Sequence, residues 1–127
     1  MPEIIWDSPE GPKWVPSVNK IVMSYEPFFK ERGPMVMAHE LGHWQYDQTL
    51  GDTDPLIDMM MERDAWRYAL RKLPPEEIDL DFLDYTLEGY VYEVEDWYGR
   101  GSIELDLARR LKAEVMRIAR SKKERAL

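Results

Sequence analysis

The chain contains no cysteine. That excludes disulfides and any metal site built on thiolates. It has only two histidines. No apolar stretch approaches the roughly 20 residues that a membrane-spanning helix needs. The N-terminal Met1-Pro2-Glu3-Ile4-Ile5-Trp6 has no basic region leading into an apolar run, so no signal peptide is expected. Positive charge is also scarce: 17 Lys and Arg stand against 25 Asp and Glu, a net charge of −8. A general nucleic-acid binder needs the opposite balance. These absences lead to the expectation of a cytoplasmic protein that acts on neither nucleic acid nor membrane.

What is present suffices for one domain. The 127 residues are 44% hydrophobic and include five tryptophans, enough for a single real core. The charge is unevenly placed. Residues 1–100 carry nine Lys/Arg and 21 Asp/Glu, whereas residues 101–127 carry eight and four. The C-terminal segment is therefore basic and the body acidic, so the one can dock on the other or on a partner.

Residues 1–17 form a proline-rich arm with Pro2, Pro9, Pro12 and Pro16. Proline cannot donate to a ladder, so only short edge strands such as Ile4-Ile5-Trp6 are expected there. Val18–Tyr25 reads as a better strand, centred on Ile21, Val22 and Met23. Gly33-Pro34 opens a helix placed at 34–48, because proline at the first helical position loses no hydrogen bond. Gly51 closes that segment. Asp54-Pro55 opens a second helix running to Lys72 and stopped by Pro74-Pro75. Its apolar stripe is Met59, Trp66, Ala69, Leu70 and Leu73. A third helical stretch, 76–98, repeats Leu80, Leu83, Leu87, Tyr90 or Val91, Val94 and Trp97. After Gly99-Arg100-Gly101, Ser102 caps a last helix over 103–123 with Leu107, Leu111, Val115 and Ile118 as its stripe. The last two helices are expected to form a hairpin. The whole is one α+β domain: the arm, a segment 18–72 that carries the chemistry, and the helical hairpin 76–127.

Both histidines lie in His39-Glu40-Leu41-Gly42-His43. On a helix, residues four apart stand one above the other on the same face. Two imidazoles so placed can bind one metal ion, and the glutamate beside the first can reach a water there. Gly42 weakens the helix interior by about 1 kcal/mol relative to alanine, so it needs a reason, such as another backbone passing close by. A third ligand is expected at Glu62. It falls inside the apolar stripe of the second helix, where a charge is costly unless it is paired or coordinates a metal. The helix continues for about five residues beyond His43, roughly 7 Å, and Glu62 lies about 10 Å into the returning helix. The two helices can thus bring Glu62 level with the histidines. Two imidazoles, a carboxylate and a water make a four-coordinate zinc site with an open position. Glu40 is the expected general base. A donor for the oxyanion of hydrolysis is left open among Tyr46, Tyr85, Tyr90, Tyr92, Tyr98 and Arg100.

His39-Glu40-Leu41-Gly42-His43 with Glu62 resembles the gluzincins, zinc metallopeptidases whose third ligand is a glutamate on the following helix. The closer resemblance is to the small soluble minigluzincins and the ImmA/IrrE-like peptidases. There Lys20-Ile21-Val22-Met23-Ser24 is similar to the strand before the motif, and Glu62-Arg63-Asp64-Ala65-Trp66-Arg67-Tyr68-Ala69 to the glutamate motif. The resemblance covers residues 18–72. It implies Zn2+ on His39, His43 and Glu62, Glu40 as general base, and an edge strand near Val18–Tyr25 that pairs with an extended protein or peptide substrate. It also implies a small antiparallel sheet ahead of packed helices. Trp66 stands where the pattern has an aspartate, and Asp58 is a substitute as the acidic partner of a ligating histidine.

Three functional classes follow: a small zinc endopeptidase, a zinc-containing structural or binding protein without turnover, and an interaction module built on the hairpin. The aliphatic stripe of the last helix must be buried somewhere. It covers the cleft and keeps a peptidase latent, mediates homo-oligomer formation, or completes the core.

Overall fold

The computed structural model describes residues 2–8, 12–15, 19–24, 31–48 and 54–126. Strands β1 (Glu3–Ser8), β2 (Lys13–Val15) and β3 (Lys20–Ser24) form a three-stranded sheet. Helices α1 (Gly33–Gln45), α2 (Pro55–Lys72), α3 (Leu80–Tyr98) and α4 (Ile103–Arg125) follow, with a 3₁₀ turn at Pro75–Glu77. The expected α+β layout holds: a small N-terminal sheet and then packed helices. The ends of the expected strand, Val18 and Tyr25, and the stop at Gly51 lie outside the described residues.

The sheet differs from expectation in its pairing. Its order is β1-β3-β2; β2 runs antiparallel to β3, but β1 runs parallel to it. The reason is topological. A short connection folds β2 back on β3 as a hairpin, and β1 then takes the other side of β3 in the same direction as β3. Lys20–Ser24 is therefore the central strand rather than an edge. Among the described residues the free edges belong to β1 and β2, the two strands of the proline-rich arm. Alternation along β3 sends Ile21 and Met23 into the core, both fully buried.

The helix ends follow local chemistry. Pro34 sits in the first turn of α1. The Asp54 carboxylate accepts from Leu56 N at 2.9 Å and starts α2. Asp79 and Ser102 do the same for α3 and α4, accepting from Phe82 N at 3.0 Å and Leu105 N at 3.1 Å. The third helix begins later than 76 because Pro75–Glu77 makes the 3₁₀ turn and Asp79 is the cap.

The core joins one face of the sheet to all four helices. Met35 and Val36 of α1, Met59, Trp66, Ala69 and Leu70 of α2, and Leu83, Leu87, Val91 and Val94 of α3 are buried in it. Helix α4 completes it with Leu105, Ala108, Leu111, Val115, Met116 and Ala119. Leu107 and Ile118, expected on that stripe, are only partly buried and pack at its margin. Trp97, expected on the stripe of α3, is 65% exposed; Tyr98 turns inward in its place. The end of α4 is anchored by charge as well as packing. Lys122 Nζ donates to Leu70 O, a carbonyl that the end of α2 leaves open, and Lys123 Nζ donates to Pro75 O and Ile78 O at the 3₁₀ turn.

Helices α1 and α2 cross at Gly42. A Cβ built there would lie 2.5 Å from Ala65 O and 2.8 Å from Ala65 Cα, so this is contact with backbone that cannot swing away. The expected reason for Gly42 is thereby met. Gly42→Ala should destabilise the protein by about 1–3 kcal/mol, although alanine is the better helix former by about 1 kcal/mol. Urea unfolding checks this; an alanine variant as stable as the parent would contradict the close crossing.

Candidate metal centre

The crossing determines what α1 and α2 can place together. His39 and His43 project from α1 toward Glu62 of α2, three residues before Ala65. His39 Nε2 lies 2.5 Å from Glu62 Oε2, His43 Nε2 lies 3.4 Å from Glu62 Oε1, and the two Nε2 atoms are 3.1 Å apart. All three potential ligand atoms fall within 4.8 Å of one another. Glu62 is 1% exposed and His43 3% exposed. The three residues singled out in the sequence are thus brought together, with no other such cluster among the described residues.

Each of the two histidines is held from behind. Gln48 Oε1 lies 3.1 Å from His43 Nδ1. An acceptor there keeps the proton on Nδ1 and turns the Nε2 lone pair inward. His39 stacks on Trp66, ring centroids 4.2 Å apart and planes 13° from parallel. Its Nδ1 is 3.5 Å from Glu40 Oε1. The residue that replaces the aspartate of the resembled motif therefore orients a histidine through its ring face. Asp58, expected to take over as a histidine's acidic partner, is buried elsewhere in the site, where its charge acts on Tyr90. Gln48 was not identified from sequence. Its only signal is a polar side chain in the turn after the helix, five residues beyond a ligand.

The electrostatics are those of a buried ion pair. Burial opposes a charge on His39, but the Glu62 carboxylate outweighs it and holds the imidazole pKa well above its ordinary value. Burial likewise raises the Glu62 carboxyl, and the attraction of His39 reverses this and carries its pKa well below the usual range. Tyr90 responds in the other direction: burial and the facing Glu62, Glu40 and Asp58 push its phenol upward, so it stays a hydrogen-bond donor at any physiological pH.

The donor set fits a zinc ion: two imidazole nitrogens and one carboxylate. A second observation points the same way. Glu62 Oε1 is fully buried and has no hydrogen-bond partner. An unsatisfied buried carboxylate oxygen is expensive, and a cation beside the two imidazoles would satisfy it.

The cluster forms the floor of a cleft of about 310 Å³, lined by Pro12, Lys13, Trp14, His39, Glu40, His43, Gln48, Glu62 and Tyr90. Glu40, the expected base, is among them and is 5% exposed. Of the open candidates for an oxyanion donor, only Tyr90 reaches this cleft. Tyr46, Tyr85, Tyr92 and Arg100 are largely exposed, and the Tyr98 hydroxyl donates to the Asp54 carboxylate. No residue of α4 lines the cleft, so the expectation that this helix covers it is not met; its stripe completes the core. Strand β2 forms one wall through Lys13 and Trp14, a contribution not anticipated from the proline-rich arm.

No family model matches the chain, and neither a curated protein nor a solved structure matches it significantly.

The ion pair has a measurable consequence. Protonated His39 stabilises the metal-free fold below the ordinary imidazole pKa of about 6.5, and this contribution is lost as pH rises through the raised value. The contribution of Glu62 is present above the usual carboxylate range and lost as pH falls through its depressed value. A zinc ion bound there would displace the His39 proton, so uptake near pH 7 should release about one proton per ion. Calorimetry in buffers of different ionisation enthalpy reads this; zinc uptake without proton release would contradict the assignment of His39.

Proposed function

We propose that the protein is a small zinc-dependent peptidase of gluzincin type, acting on extended protein or peptide segments. The observation that carries this reading is the convergence of His39, His43 and Glu62, whose buried Oε1 makes no hydrogen bond, on one point at the floor of a cleft. When bound, zinc supplies a Lewis acid for the substrate carbonyl and lowers the pKa of a water toward neutrality.

The chain's own residues supply the rest. Glu40, beside His39 and facing the cleft, takes a proton from the attacking water and passes it to the leaving amine. Tyr90 keeps its proton and offers it as a hydrogen bond to the carbonyl oxygen as charge builds there. Gln48 and Trp66 hold the two imidazoles in place. The edge of β2 that is free among the described residues, beside Lys13 and Trp14 of the cleft wall, offers main-chain groups to an extended substrate. That role passes to β2 because the interior position of β3 leaves it no free edge. No helix among the described residues is long and apolar enough to cross a membrane, and the acidic charge favours a protein rather than a nucleic-acid substrate.

Separating ligand, base and donor tests the proposal. Glu62→Ala should lose tight zinc binding. Glu40→Gln should keep zinc at one equivalent and lose about 10²- to 10⁴-fold in kcat/KM on a cleavable peptide pool. Tyr90→Phe should keep zinc and lower kcat by about 10²- to 10³-fold with little change in KM. Mass-spectrometric detection of cleavage together with metal analysis reads all three. A Glu40→Gln protein that cleaves as fast as the parent, or a parent with zinc and no cleavage of any peptide, would favour the zinc-containing binding protein instead.

A further inference from the structure

Gly89 lies in the interior of α3, where glycine weakens the helix. The close crossing that explains Gly42 has no counterpart here: a Cβ at Gly89 would meet nothing within 4 Å. The chain's own packing therefore does not require a glycine at this position. Its neighbours on the face of α3 turned away from the core are Tyr85 and Tyr92, 71% and 66% exposed. Together with Thr86 and Glu88 they line a shallow hollow of about 350 Å³ with Gly89 at its base. Tyrosine and tryptophan are enriched in protein interfaces. Trp97 and Ile103, flanking the turn between α3 and α4, are 65% and 83% exposed.

The surroundings of the hollow specify its occupant. Helix α3 carries Asp81, Asp84, Glu88, Glu93, Glu95 and Asp96 and no lysine or arginine. Lys112 engages Asp84 and Glu88, and Arg100 and Arg109 engage Glu95. Asp81, Glu93 and Asp96 have no ion pair among the described residues. The outer face of α4 is its complement: exposed Arg109, Arg110, Arg117 and Arg120 surround exposed Ala113. Arg117 and Arg120 have no ion pair among the described residues. One helix thus presents Asp81, Glu93 and Asp96, without an ion pair among the described residues, and exposed tyrosines around a glycine; the other presents Arg117 and Arg120, likewise without one, beside an alanine and the surface-paired Arg109 and Arg110. The small residues allow two helices to approach, and arginine packs on tyrosine rings.

We propose that the α3–α4 hairpin is the interface of a homodimer, in which the arginine face of α4 from a second copy lies over the Tyr85–Gly89–Tyr92 hollow of α3. Because α3 and α4 are adjacent on one surface, a two-fold axis makes this contact twice, each copy giving one acidic and one basic helix. The net charge of −8 does not prevent this. Charges in contact act at short range, whereas the repulsion of the two bodies is screened beyond about 8 Å at physiological ionic strength. The interface is independent of the metal centre.

Sedimentation equilibrium on the full chain, with and without zinc, tests it through charge reversal. The parent should be a dimer. Arg117→Glu with Arg120→Glu in one variant, and Glu93→Lys with Asp96→Lys in another, should each be monomeric while keeping the parent's circular dichroism, since all four side chains are exposed. An equimolar mixture of the two variants should form a heterodimer, because one of its two contacts is then the native one and the other is restored with its signs exchanged. A parent that stays monomeric at the highest measurable concentration overturns the proposal and leaves the hollow to a different basic partner. Variants that remain dimeric, or a mixture that remains monomeric, also overturn it.

Discussion

The close crossing of α1 and α2 is the constraint on which the rest of the structure depends. Helix axes ordinarily stay 8–10 Å apart because side chains fill the gap. At Gly42 the side chain is missing and the backbone of Ala65 moves into its place. Short glutamate and histidine side chains can then meet between the two helices. With any side chain at position 42, Glu62 would be carried away from both imidazoles. The weakened helix interior at Gly42 is offset by packing, and His39, His43 and Glu62 are brought into register by the same contact. Fold and site are therefore not separable here: the residue that permits the crossing lies beside one ligand in sequence, and the residue it touches lies three after another.

Behind the ligands the protein uses unlike means for like tasks. His43 is fixed by a hydrogen bond from the turn after its own helix, whereas His39 is fixed by the flat face of Trp66. A hydrogen bond sets a tautomer; a stacked ring sets only an orientation. That leaves His39 Nδ1 to Glu40, so one carboxylate borders both a ligand and the cleft. Buried Trp66 Nε1 has no partner, which indicates that the indole is placed for its face and not for its N–H.

Much of this was legible in the sequence because it is local. Pro34, Asp54-Pro55, Pro74-Pro75 and Ser102 act within one or two residues of themselves, and the helices begin and end near them. The histidine pair and Glu62 were legible because helical periodicity projects them along known directions. The sheet was not. Parallel pairing of β1 with β3 is a contact between short strands whose order depends on chain routing, and no residue of Glu3–Ser8 encodes it. Gln48 and Trp14 were missed for a related reason: neither belongs to a periodic pattern, and each reaches the site only once the chain has turned. Tyr90 could not be chosen over five other candidates until α3 was placed against the cleft. Trp97 shows the opposite failure. It fits the stripe by spacing, yet at the last turn of a helix the stripe is decided by what lies beyond, and Tyr98 takes the inward position.

The stacking of His39 on Trp66 also gives the molecule an optical property. Indole emission is quenched by a protonated imidazole in van der Waals contact, and Trp66 is buried against the ring that a cation entering the site would deprotonate. One of the five tryptophans thus lies against the candidate centre, so a cation bound there would change the protein's own fluorescence.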